Sequence, residues 1–108
     1  MPDDRTVREV LTRLKKGLVE LYGDRLCKVV LFGSRARGDN DPDSDIDVLV
    51  VLKPPVRVGE EIARTSHLVA ELCLDSAVVL SRVFVGLDRF DGQKGPLMRN
   101  VRREGLPV

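Results

Sequence analysis

The sequence predicts a small α/β layer, a mixed sheet of three or four strands with helices packed mainly on one face. Three observations carry this. Apolar residues switch between helical spacing and short β-rich runs, in the order helix, strand, strand, helix, strand, helix. The chain has 108 residues without internal repeats or a dividing linker, which predicts a single domain over 1–108 with a modest core. Hydrophobic residues make up 43% and charged residues 32%, the balance of an ordinary globular domain.

Thr6 and Glu9 have the spacing of a capping box, and Val7, Val10, Leu11, Leu14, Leu18 and Leu21 follow at helical spacing until Gly23 stops the run. This predicts a first helix over residues 6–22, with Arg8, Arg13, Lys15, Lys16 and Glu20 on a solvated face. Residues 27–32 form a β-rich run, the first strand; residues 33–44 are polar and turn-rich; residues 45–52 are the second strand. Lys53, Pro54 and Pro55 end that strand, since proline cannot donate to a ladder. Residues 59–74 read as a second helix with Ile62, Ser66, Val69, Leu72 and Cys73 inward. Residues 77–85 are a third strand interrupted by Ser81 and Arg82, and residues 87–95 a glycine-bearing loop. Pro96 opens a last short helix with Leu97, Met98 and Val101, stopped by Gly105.

Lys and Arg number 18 against 17 Asp and Glu, so net charge gives no support to nucleic-acid binding. With three Phe, one Tyr and no Trp there is no base-stacking platform either. Cys27, Cys73 and the one histidine, His67, fit no zinc spacing; they read as two buried thiols and a surface residue. No segment has the length or character of a signal peptide or membrane span, which predicts a cytoplasmic protein.

The chemistry lies in the stretch LFGSRARGDNDPDSDIDVLVVL, residues 31–52. Side chains alternate along a strand, so Asp45 and Asp47 share one face while Ile46, Val48 and Val50 take the other. Two such carboxylates repel each other and raise each other's pKa unless a cation lies between them. Two hard oxygen donors with open positions suit Mg²⁺, which keeps waters and takes phosphate oxygens. Gly33 directly follows the first strand, where it lets backbone amides approach an anion, and Ser34 adds a hydroxyl. Arg35 and Arg37 offer forked donors suited to phosphate. Together these are the parts of a Mg²⁺–nucleoside triphosphate site. A calcium loop starting at Asp39 would need Gly in place of Ser44 and Glu in place of Val50, and a P-loop would need a Gly-Lys-Ser/Thr ending that is absent. Asp39 to Asp43 read as a solvated turn; that reading does not account for Asp45 and Asp47 in an apolar strand.

Gly33 to Gly38 followed by Ser44 to Val50 resembles the signature of the minimal nucleotidyltransferases of the DNA polymerase β superfamily, and the resemblance covers nearly the whole chain. It implies a nucleotidyltransferase fold, Mg²⁺ held by Asp45 and Asp47, triphosphate contacts from Gly33 and Ser34, and ATP as the expected nucleotide; Arg35, Arg37 and Ser44 are the other nucleotide-binding candidates. It also implies a role as the antitoxin of a toxin–antitoxin pair, joined to a helical HEPN protein. The small size of the domain, with apolar residues on the first helix and over 96–108 needing cover, predicts a homodimer alone and a hetero-oligomer with that partner. The family's third carboxylate lies mid-strand next to the pair, where this chain has Ser81. Either Asp75 reaches in as the catalytic base or the third carboxylate is missing. Three functions follow: transfer of AMP to a partner's hydroxyl, a nucleotide-binding module that caps the partner without chemistry, or transfer to a small molecule.

Overall fold

In a computed structural model describing residues 4–33, 35–36, 45–92 and 95–108, helices and strands follow in the order α1 (Asp4–Tyr22), β1 (Leu26–Phe32), β2 (Ile46–Leu52), α2 (Val58–Ser76), β3 (Leu80–Gly86), α3 (Leu87–Gly92), α4 (Pro96–Glu104) and β4 (Leu106–Pro107). One 3₁₀ turn, Gly23–Arg25, joins α1 to β1. The strands form one mixed sheet in the order β3-β2-β1-β4. β1 pairs antiparallel with both β2 and β4, and β2 pairs parallel with β3. A parallel pair needs a crossover, and α2 supplies it.

The period of two in β2 divides the core. Ile46, Val48, Val50 and Leu52 pack with Val7, Val10, Leu14 and Leu18 of α1 and Val69 and Leu72 of α2. Leu49 and Val51 face the other way and meet Val30, Val85, Phe90 of α3, and Met98 and Val101 of α4. Burial on both faces explains why β2 is apolar from Val48 to Leu52. The two long helices share one face, as expected from the sequence, and the two short ones cover part of the other.

Several elements depart from the sequence reading. α1 already includes Asp4, so Thr6 lies inside the helix and not at its cap. Its inward stripe ends on Tyr22, while Leu21 is exposed. In the first half of α2 the inward face is turned by one residue: Ile62 is 42% exposed and Ser66 exposed, whereas Glu61 (2%) and Thr65 (0%) are buried; Val69 and Leu72 are buried as expected. Partners from elsewhere in the chain make this turn possible. The Tyr22 hydroxyl donates to Glu61 Oε1 at 3.0 Å, and the Arg25 and Arg64 guanidinium groups lie 3.5 and 3.3 Å from that carboxylate. Thr65 Oγ1 donates to the Glu61 carbonyl and accepts from Arg82 Nε at 2.7 Å. β3 starts only at Leu80, because Ala77 closes α2 in the left-handed conformation (φ 52°, ψ 45°) and ends its extended run. The expected loop after β3 contains the one-and-a-half-turn helix α3, and β4 is an additional strand. Cys27 and Cys73 are free and half-buried, and the exposed His67 ring lies 3.3 Å from Glu71. Among the described residues, no helix is long and apolar enough to cross a membrane.

Candidate active site

β1 and β2 set the site by register. Phe32, the last residue of β1, pairs with Asp47, and on the other side of β2 Asp47 pairs with Ser81 of β3. Gly33 then turns the chain at φ +77°, a region that side chains other than glycine's rarely adopt. A Cβ placed on Gly33 would stand 2.5 Å from Asp47 Oδ2. The bare glycine therefore lets the loop backbone lie directly against the Asp47 carboxylate. Asp45 stands just before β2, whose first amide, on Ile46, donates to the Val79 carbonyl at 2.9 Å.

Asp45 is exposed and Asp47 half-buried. Burial pushes the Asp47 carboxyl above its ordinary value, and the neighbouring Asp45 charge pushes it further. The strain expected of two carboxylates on one strand face is thus present. Two oxygen donors at the mouth of a glycine turn, with the Asp47 charge disfavoured by burial and by its neighbour, fit a hard divalent cation that keeps water or phosphate in its remaining positions. Among the described residues, no group of three or more His, Cys, Asp or Glu comes together.

Of the other residues read from the sequence, Arg35 lies in the turn after Gly33 and is half-buried. Ser34, Arg37 and Ser44, and the aspartates at 39, 41 and 43, fall outside the described residues. Asp75 is not brought to the pair. It sits in the last turn of α2, where its carboxylate takes Arg13 Nη2 of α1 at 3.0 Å, both side chains about half exposed. α1 and α2 cover the face of Ile46 and Val48, opposite to Asp47, which removes Asp75 as the neighbouring base. The residue beside Asp47 is Ser81, at the mid-strand position that the resemblance gives to the family's third carboxylate. A cavity of about 270 Å³ lined by Pro54, Val56, Phe84 and Gly86 opens at the other end of β2 and β3, away from the carboxylates.

Comparison with known proteins points the same way. The family model described as "Nucleotidyltransferase domain" matches residues 11–88. A protein of Methanocaldococcus jannaschii named "Putative protein adenylyltransferase" is 31% identical over 107 residues, 97% of this chain and 96% of that protein. Another protein of the same organism and name is 47% identical over 58 residues, 52% of this chain and 59% of its own length. Among solved structures, "Structure of putative minimal nucleotidyltransferase" superposes with a TM-score of 0.69 at 24% identity, covering 99% of this chain and 97% of that one. "Crystal structure of the toxin-antitoxin with AMP-PNP" gives 0.59 at 19% identity, covering 87% and 68%. At these identities the two structures speak for the fold.

Proposed function

The chain belongs to the nucleotidyltransferase domain family, and from that membership we propose that it transfers AMP from ATP to a hydroxyl group of a partner protein, with Mg²⁺ held by Asp45 and Asp47. The observation that carries this reading is the carboxylate pair at the head of β2 with the Gly33 turn laid against it. Mg²⁺, when bound, would supply charge neutralisation for the phosphates. The chain's own groups do the rest. Gly33 leaves room for the Asp47 carboxylate and brings backbone amides toward the triphosphate, Ser34 adds a hydroxyl donor, and Arg35 and Arg37 supply forked donors to phosphate oxygens. Ser44 precedes the pair and contributes a further polar contact to the nucleotide. Asp75 is left to its ion pair with Arg13.

The relatives' name, protein adenylyltransferase, supports a protein acceptor, and the toxin–antitoxin assembly with AMP-PNP supports a partner bound beside a nucleotide. The partner we propose is a helical HEPN-type toxin carrying the acceptor hydroxyl on a tyrosine, with this chain as its cytoplasmic antitoxin. A second reading, a nucleotide-binding cap without chemistry, is favoured by one observation: Ser81, and not a carboxylate, lies beside Asp47. Mass spectrometry of the partner after incubation with ATP and Mg²⁺ separates the two. A gain of one AMP that disappears in Asp47→Asn supports transfer; ATP binding without any gain supports the cap; transfer undiminished in Asp47→Asn removes the site.

A further inference from the structure

We infer that the carboxylate pair holds one divalent cation rather than two, because the strand position that would add a charged donor beside Asp47 carries the neutral Ser81; this rests on the reading of Asp45 and Asp47 as the metal ligands. β2 and β3 run parallel with Asp47 opposite Ser81. Paired residues of parallel strands project from the same face, with the strands about 4.8 Å apart. The flanking residues fix that face. Val83 and Val85 pack with the α3 and α4 cluster that also takes Leu49, whereas Leu80 and Phe84 pack with α1 and α2. Ser81 is therefore on the Asp47 side, and it is exposed.

Across the three strands the row at this level reads Phe32, Asp47, Ser81, with a single charge. Two further described charges, Arg82 and Asp75, are turned away from this row. Arg82 reaches over α2, donating to Thr65 Oγ1 and to the Ile62 carbonyl at 2.9 Å, and Asp75 is paired with Arg13. Two carboxylates balance one divalent cation. The triphosphate oxygens can bridge two cations, but a second one a few ångströms from the first also needs a charged ligand from the chain, because two dications at that distance repel strongly. A serine hydroxyl can hold a water or a neutral acceptor group but adds no charge. Ser81 thus sets the number of cations at the site.

The test counts Mn²⁺ by electron paramagnetic resonance, per bound molecule of a non-hydrolysable ATP analogue, with the full chain in excess over nucleotide. The wild type is expected to hold one Mn²⁺ per nucleotide, Ser81→Asp two, and the similarly sized neutral variant Ser81→Asn one. Two cations in the wild type, two in Ser81→Asn, or one in a folded Ser81→Asp overturns the inference while leaving the metal site standing. If Ser81→Asp fails to fold, the wild-type count still decides. A wild-type count and affinity unchanged by Asp47→Asn overturn the metal site itself, and this inference with it.

Discussion

Asp47 carries a charge that the fold disfavours. Its carboxyl pKa lies above the ordinary 3.8, through burial and through Asp45. A carboxyl raised in this way favours folding fully below that ordinary value, and the contribution is lost as pH rises through the folded-state pKa. Asp47→Asn should therefore melt no lower than wild type at neutral pH without metal, and should lose its relative advantage as the medium becomes acidic. Thermal melts of both proteins across pH check this, and a variant that melts lower at neutral pH contradicts it. Glu61 works in the opposite sense. Burial alone would raise its pKa, but the Tyr22 hydroxyl, Arg25, the Arg57 backbone and Arg64 outweigh that and hold it below the ordinary 4.5. Its stabilisation is present above that value and fades as pH falls through the folded-state pKa. Burial, and then the same contact with Glu61, push the Tyr22 phenol up to about 12. Glu61→Ala leaves a buried phenol and two guanidinium groups without their acceptor, at a cost of about 2–3 kcal/mol in denaturant titration. Gly33→Ala should cost about 1–2 kcal/mol for its left-handed backbone and also displace the Asp47 carboxylate, so nucleotide transfer should fall further than stability. The aspartate pair and Gly33 were legible in the sequence because an alternating strand and a glycine turn are local facts. The burial of Glu61 was not, because Tyr22 is 39 positions away.

The helices and strands with strong periodicity were legible within a few residues, and the failures share one cause. Periodicity predicts Ile62 and Ser66 inward on α2, yet Glu61 and Thr65 win that part of the face through hydrogen bonds that periodicity does not register. α3, six residues long, has too few apolar positions to show a period, and β4 is held by two register pairs with β1 that no pattern in two residues can announce. The end of α2 offers a direct measurement. Ala77 adopts φ 52° and its amide donates to the Cys73 carbonyl, the arrangement in which glycine is the usual residue. Ala77→Gly removes the Cβ penalty without touching a contact of the carboxylate pair, so it should raise stability by up to about 1 kcal/mol with nucleotide binding unchanged. A loss of stability would mean that the unfolded chain's gain in freedom outweighs the relief at this cap.

For the molecule as a whole, apolar surface needing cover is expected along α1 and the last 13 residues, and Val19 (49% exposed), Leu21 (41%) and Leu106 (48%) are exposed there. The α1 stripe from Val7 to Leu18 is buried, while Leu74 (83% exposed) and Val79 (63%) stand near the junction of α2 and β3. Val79 directly precedes Leu80 and Ser81 in the chain, so its exposed side chain stands beside the strand end that carries the candidate site. The metal and nucleotide should also act on the stability of the whole fold. A ligand that binds only the folded chain stabilises it by RT ln(1 + [L]/Kd), about 2.7 kcal/mol at a hundredfold excess over Kd. For a chain of 108 residues each kcal/mol moves the melting temperature by roughly 4–8 °C. ATP with Mg²⁺ should therefore raise the melting temperature of the wild type by about 10 °C or more under those conditions. The rise should shrink as pH falls through the Asp47 pKa, because the cation and the proton compete for the same carboxylate. In Asp47→Asn, Mg²⁺ should add little to the shift given by ATP alone, at any pH. Differential scanning of the two proteins with ATP, with and without Mg²⁺, reads the difference directly. A Mg²⁺-dependent shift of equal size in Asp47→Asn would place the cation elsewhere in the fold.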